Sequence, residues 1–183
     1  PPVHNVRLAA LLHDVGKAYC LKNFGNFHGH EKCSGVAARI ILNRLRYPND
    51  VINQVVRLCS LHMYDMRGET REAKARVFVA KNYDIIDKLV ALIRADRLAT
   101  GVMTKEETDK PHRFETIRAQ MLSDGAPILK KSLKISGKDL IDMGFEGEAI
   151  SAALEELWRD CVINPKNNTP EHLFKMAEKL PKR

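Results

Sequence analysis

The sequence predicts an all-α protein, a helical bundle followed by a smaller C-terminal helical region. Apolar residues recur at three- and four-residue spacings through almost every patterned segment, as in helices that bury one face. No segment shows the apolar/polar alternation of a half-buried strand. Clusters of Pro, Gly, Asn and Asp separate the patterned segments, and these residues stop and restart helices. There is no internal repeat.

Val3 to Leu12 forms the first expected helix, ending at His13-Asp14, with a Gly16-Lys17 turn as its exit. Asn23 to Glu31 combines glycine, asparagine and aromatic residues and reads as a loop that lines a cleft. Glu31 to Leu45 is expected as a helix with Val36, Ile40, Ile41 and Leu45 on its apolar face. Pro48-Asn49-Asp50 caps a helix carrying Val51, Ile52, Val55, Val56 and Cys59, with His62 near its end. Thr70 serves as N-cap for a helix to about Lys81. Tyr83 to Leu98 continues the pattern through Ile86, Leu89, Val90 and Ile93. The polar stretch 100–112, with Pro111, interrupts the packed helices before another spans Arg113 to Leu122. Ser123 to Pro127 breaks the chain again. Ser136 to Met143 then makes a short helix with Gly144 as C-cap, and Glu148 to Val162 a longer one carrying Ile150, Leu154, Leu157 and Trp158. Thr169-Pro170 opens the last helix with Pro at its first position. The expected domains are residues 1–125 and 126–183.

A chain of 183 residues, 44% hydrophobic and 29% charged, is long enough to bury a core of ordinary globular composition. No apolar run approaches the ~20 residues of a membrane span, and nothing resembles a signal peptide. The four cysteines (Cys20, Cys33, Cys59, Cys161) form no C-x-x-C pair and read as reduced thiols in a cytoplasmic protein, with Cys59 and Cys161 on buried faces. The chain begins Pro1-Pro2 without an initiator Met and reads as a piece of a longer polypeptide. Its net charge of +7 is uneven along the sequence: residues 1–99 hold 16 Lys/Arg against 9 Asp/Glu, and residues 100–183 hold 14 against 14. That excess favours a phosphate-bearing partner near the first half.

His13-Asp14 is the most informative pair. Imidazole with carboxylate is the ligand mixture of divalent transition-metal sites. Adjacent helical residues do not share a face, so both reach one ion only at the helix end, and further ligands must come from distant segments. His28, His30, His62 and Asp96 are the candidates. Asp96 stands near the end of an apolar helix, where a carboxylate needs a metal or an arginine partner, Arg94 or Arg97. His4, His112 and His172 read as surface residues.

Leu11-Leu12-His13-Asp14-Val15-Gly16-Lys17, Phe27-His28-Gly29-His30-Glu31, His62 and Arg94-Ala95-Asp96, in that order, resemble the HD superfamily of metal-dependent phosphohydrolases. The resemblance is closer still to the HD domain of bacterial tRNA nucleotidyltransferases (CCA-adding enzymes) and related poly(A) polymerases. Leu133-Lys134-Ile135-Ser136-Gly137-Lys138-Asp139-Leu140, ending at Gly144, is similar to that family's segment beyond the HD domain, and the helix 148–162 and Asn167-Asn168-Thr169 continue the likeness. It implies a divalent ion (Mg, Mn, Ni, Zn or Fe) held by His13, Asp14 and Asp96, with His30 and His62 as ligands of a second ion. Asp14 would then be the central ligand, Lys17 a charge partner for a phosphate, and His28, Arg94 and Arg97 contacts to substrate or supports for Asp96. It also implies a ligand histidine on an upstream helix and an N-terminal nucleotidyltransferase head, neither of which this sequence contains. The chain alone should therefore not add nucleotides.

The expected partners are tRNA, a phosphoester or nucleotide substrate and the missing head, with no membrane. Arg67, Arg71, Lys74 and Lys81 are spaced to form a basic stripe along one side of a helix, suited to a tRNA backbone. Two alternatives stand beside this reading: a free-standing HD phosphohydrolase acting on nucleotides or cyclic phosphates, and an RNA-binding module whose metal site is inactive.

Overall fold

The computed structural model describes residues 4–108 and 110–183. Val3, the expected start of the first helix, and Asp109, within the polar stretch, lie outside the described residues. The described residues form helices and no strand: α1 His4–Leu12, α2 Gly16–Phe24, α3 His30–Arg44, α4 Asn49–Leu61, α5 Glu72–Lys81, α6 Ile86–Ala99, α7 Lys105–Thr108, α8 Arg113–Ser123, α9 Gly137–Asp142, α10 Glu148–Ile163 and α11 Pro170–Ala177. Short 3₁₀ turns lie at Lys130–Ser132 and Pro165–Asn167. No helix among the described residues is long and apolar enough to cross a membrane.

The chain groups into two compact units. The first comprises residues through Glu69 with Asp84–Glu115, and the second comprises Thr70–Tyr83 with Thr116–Arg183. The expected division after residue 125 differs at 70–83 and 116–125, which the structure groups with the C-terminal residues. The regrouping redistributes charge. The first unit holds 15 Lys/Arg against 12 Asp/Glu and the second 15 against 11, so the basic excess is shared. The expectation that electrostatic contacts concentrate in the first half does not carry over to the folded units, because α5 and its flanks bring Arg71, Lys74, Arg76 and Lys81 to the second.

In the first unit α1, α3, α4 and α6 pack around Val6, Ala9, Leu12, Leu42, Val55, Leu58, Leu89 and Ile93. The expected face of α3 is corrected here. Val36 and Ile40 are 63% and 64% exposed, whereas Ser34, Gly35, Ala38 and Leu42 are buried. Small residues are needed because neighbouring elements approach closely: a Cβ on Gly35 would overlap the Ser60 hydroxyl. Separation between backbones, not side-chain hydrophobicity, chose the buried face. Gly16-Lys17, expected as a turn, and Asn23-Phe24, expected as the start of a loop, are instead the two ends of the helix α2. Neither Asn49 nor Asp50 caps α4; Pro48 occupies that position, with no side-chain cap.

In the second unit α5 is buried along Ala75–Ala80 and packs on α10, whose Leu157, Trp158, Cys161 and Val162 are buried. Arg76 is buried with them, donating from Nε to the Val162 carbonyl at 3.0 Å and pairing with Asp124 at 3.2 Å. The Trp158 indole donates to the Pro127 carbonyl, 2.8 Å. Two helix starts agree with the sequence reading. Ser136 and Asp139 form a reciprocal capping box on α9, and Thr169 accepts from the His172 amide ahead of Pro170 at the first position of α11.

Candidate metal centre

Helix α1 ends at Leu12, and His13-Asp14-Val15 form a turn before α2 begins at Gly16. Gly16 is present for proximity rather than for turning. Its φ is not positive, and a Cβ there would lie 2.5 Å from the Ser34 amide nitrogen, 2.8 Å from Cys33 Cβ and closer still to the His30 carbonyl oxygen. Only glycine lets the start of α2 sit against the first turn of α3. The Ser34 hydroxyl accepts from the Gly16 amide at 2.9 Å, satisfying one donor left free at a helix start. Nothing local in the sequence marks Ser34 for this role. This approach brings His30 to Asp14. Gly29, in the left-handed region at φ +79°, turns the loop into α3 with His30 as its first residue.

The three histidines are oriented by one device. His13 Nδ1 lies 2.9 Å from the Ala10 carbonyl, His30 Nδ1 2.8 Å from the Phe27 carbonyl, and His62 Nδ1 2.7 Å from the Cys59 carbonyl. A carbonyl can only accept, so each Nδ1 carries the proton and, in the neutral ring, each Nε2 keeps its lone pair. Those Nε2 atoms converge on the carboxylates. His30 Nε2 is 3.2 Å and His62 Nε2 4.0 Å from Asp14 Oδ1, while His13 Nε2 is 3.5 Å from Asp14 Oδ2 and 3.4 Å from Asp96 Oδ1. Ligating atoms of His13, Asp14 and His62 all lie within 4.8 Å of one another. The His13 and His62 rings meet edge-on at 4.9 Å, and those of His30 and His62 at 5.3 Å. His13 Nε2 and His30 Nε2 are buried and without a hydrogen-bond partner.

Lone pairs of nitrogen and carboxylate oxygen repel unless an electron-poor centre stands between them. A divalent cation satisfies that requirement, and backbone-held Nδ1–H groups are the usual support for metal-binding imidazoles. The donor set of imidazole and carboxylate fits Zn, Fe, Ni or Mn in kind, and its three imidazoles suit the oxygen-preferring Mg poorly. Electrostatics at the cluster agree. Burial pushes His62 below the ordinary imidazole range, aided by His13 and His30 and opposed by the Cys59 carbonyl, which favours the neutral ligating form. Burial alone would raise Asp14, but its hydrogen bond from Lys17 and the charges of His13, Lys17 and His30 hold the carboxyl below its usual value. Lys17 Nζ donates to Asp14 Oδ2 at 2.6 Å. The histidine side chains are 14%, 7% and 2% exposed, against 38% for Asp14 and 41% for Lys17. The cluster thus has a histidine floor and opens towards Asp14 and Lys17.

His13-Asp14, His30, His62 and Asp96, from four separate segments, come together, with Asp14 facing the three histidines and Asp96 beside His13. His28 is exposed in the preceding loop, its amide donating to Asn26 Oδ1. Arg94 does not pair with Asp96; it donates to Glu115 at 2.8 Å and to the Lys110 carbonyl at 2.7 Å. The proposed basic stripe is not one helix face. Arg67 lies in the loop after α4 in the first unit, Arg71 precedes α5 in the second, and Lys81 is engaged with Glu155 at 2.5 Å. Two histidines expected on the bare surface have partners: His112 is half-buried beside Phe114, and His172 lies 3.0 Å from Asp160.

Residues 2–101 match the HD domain family. The chain belongs to that family. Among curated relatives, this HD chain is 35% identical over 158 residues to the CC-adding tRNA nucleotidyltransferase of Thermus thermophilus, covering 82% of this chain and 34% of that protein. It is 27% identical over 158 residues to the multifunctional CCA protein of Legionella pneumophila strain Paris, with 86% and 37% covered. Against the A-adding tRNA nucleotidyltransferase of Deinococcus radiodurans it is 32% identical over 99 residues, 51% of this chain and 22% of that protein. The HD chain thus spans about a third of the length of the first two. No solved structure gives a significant match.

Proposed function

We propose that this HD chain is part of a tRNA nucleotidyltransferase-family protein that acts in tRNA 3′-end processing, and that its own chemistry is metal-dependent phosphoester hydrolysis. The observation that carries the second statement is the convergence of three Nδ1-held histidines on Asp14, with Asp96 beside His13. His13, Asp14, Asp96, His30 and His62 would hold the ion. A divalent ion there supplies Lewis-acid activation of a phosphoryl oxygen and of water. The chain's residues supply the rest. The backbone carbonyls fix each imidazole before substrate arrives, so no reorientation is needed. Lys17, at the open edge and within reach of Asp14, would offer its ammonium to a phosphate oxygen. The buried histidine floor keeps bulk water from the back of the site. His28 would contact substrate, and Arg94 and Arg97 would support the segment that carries Asp96, Arg94 through its pairing with Glu115.

Similarity to the Thermus protein over 158 residues exceeds the length of the HD match, which supports a tRNA-processing parent over a free-standing hydrolase. The nucleotidyltransferase head, the tRNA partner and a cytoplasmic setting belong to this proposal. Arg67, Arg71, Lys74 and Lys81 are its candidate RNA contacts, the last three on or at the start of α5. The test is elemental analysis of the purified protein, followed by hydrolysis of p-nitrophenyl phosphate and a 2′,3′-cyclic nucleotide with each divalent metal. Hydrolysis that requires metal and vanishes in Asp14→Ala is the expected result. Activity that survives Asp14→Ala in a clean preparation refutes the site.

A further inference from the structure

The first unit holds a second polar cavity, of about 250 Å³, bounded by the loop after His62 and by residues of α6 and the 103–113 segment. Arg67, Arg94, Arg97, Lys110 and Arg113 line it, against Asp65 and Glu107. Two of these cations are already engaged. Arg94 is held by Glu115 and the Lys110 carbonyl, and Arg113 by Asp65, whose backbone is in the left-handed region at φ +57°. The Glu107 carboxylate accepts from the Thr104 amide at 2.8 Å. Arg97 is different. Its Nε is buried and has no hydrogen-bond partner. A guanidinium donor taken from water without an acceptor is costly, so such a group marks a place where an acceptor belongs. Arg67 and Lys110, both exposed, add positive charge at the same cavity.

We propose that this cavity is a phosphate-recognition site for the terminal phosphate monoester of a nucleotide or RNA end, with Arg97 as the central donor. Guanidinium groups match phosphate oxygens in planar pairs, and Arg97, Arg67 and Lys110 together balance a dianion. The volume favours an end over a strand. Pockets enclosing whole drug-sized ligands run about 300–1,000 Å³, so a cavity of about 250 Å³ suits one phosphorylated end rather than a run of several nucleotides. In sequence, Arg97 directly follows Asp96 and Asp65 lies three residues beyond His62, so the site shares two supporting segments with the histidine cluster. It does not depend on a metal.

The experiment is calorimetric titration of the intact chain in EDTA, which separates this site from the metal centre. The probes are a 3′-phosphorylated dinucleotide, the same dinucleotide without the phosphate, inorganic phosphate, and a ten-nucleotide RNA with hydroxyl ends. Saturable binding of the phosphorylated dinucleotide, at least tenfold tighter than its unphosphorylated form, is expected. Inorganic phosphate should compete. Arg97→Ala should weaken binding about tenfold or more, as loss of a charge-assisted donor pair does. Arg67→Ala, an exposed substitution that leaves the fold intact by circular dichroism, should weaken it severalfold. Equal affinity for the two dinucleotides overturns the assignment, as does binding insensitive to both substitutions. Equal or tighter binding of the hydroxyl-ended RNA, lost in Arg97→Ala, also overturns it by pointing to backbone phosphodiesters.

Discussion

Gly16→Ala tests the construction of the proposed metal centre without touching any of its proposed ligands. The added methyl would sit 2.5 Å from the Ser34 amide nitrogen and 2.8 Å from Cys33 Cβ, and closer to the His30 carbonyl oxygen. Normal carbon contacts lie near 3.5–4.0 Å, so α2 and α3 must separate by about 1 Å. Two of the clashing atoms are backbone and cannot rotate away. Overpacking of this kind costs about 1–3 kcal/mol, offset by up to about 1 kcal/mol of alanine's helical preference over glycine. The expected net loss is about 1–2 kcal/mol. The effect on the site is larger in proportion. Asp14 and His30 stand on the two sides of the contact, 3.2 Å apart, and metal coordination tolerates about 0.2 Å. Gly16→Ala should therefore remain folded by circular dichroism, shift modestly in urea denaturation, and lose most of its divalent-metal affinity by calorimetry. Wild-type metal affinity in a destabilised Gly16→Ala would refute the claim that this approach sets the His30–Asp14 geometry. Unchanged stability would refute the close packing itself.

Gly137 makes the opposite case: a Cβ there meets only Ile150 and Leu154 at 3.6 and 4.0 Å, so Gly137→Ala should stabilise by up to about 1 kcal/mol and raise the melting temperature. Arg76→Ala should cost about 1–3 kcal/mol in urea denaturation, chiefly because it removes the charged donor from the Val162 carbonyl in a buried setting. His62, depressed by burial, binds fewer protons folded than unfolded. In EDTA its contribution to stability is full above the unfolded imidazole value of about 6.5 and is lost as pH falls through its lower folded value. Urea midpoints that decline from pH 7 to pH 5, with a shallower decline in His62→Asn, are expected. Cys59, its thiol pushed up to about 12 by burial, should resist alkylation in the folded protein at pH 8, in a mass-resolved labelling experiment.

The sequence by itself determined the helical class, most element positions and the identity of the cluster-forming residues. Periodicity and breakers are local properties, and a His-Asp pair at a helix end, with further histidines and an aspartate at the ends of apolar helices, is visible without a fold. Tertiary structure decided which face of α3 is buried, since Gly16 and Gly35 answer to the distance between backbones and not to any pattern along the chain. It decided that α5 joins the C-terminal unit and that Arg67 lies in the loop after α4, not on the helix that spacing alone had drawn. It also decided the chemistry of the histidines. The carbonyls of Ala10, Phe27 and Cys59 fix which nitrogen faces Asp14, and a backbone acceptor leaves no trace in a sequence. The unpartnered Arg97 Nε is of the same kind, because only packing reveals which donors lack an acceptor.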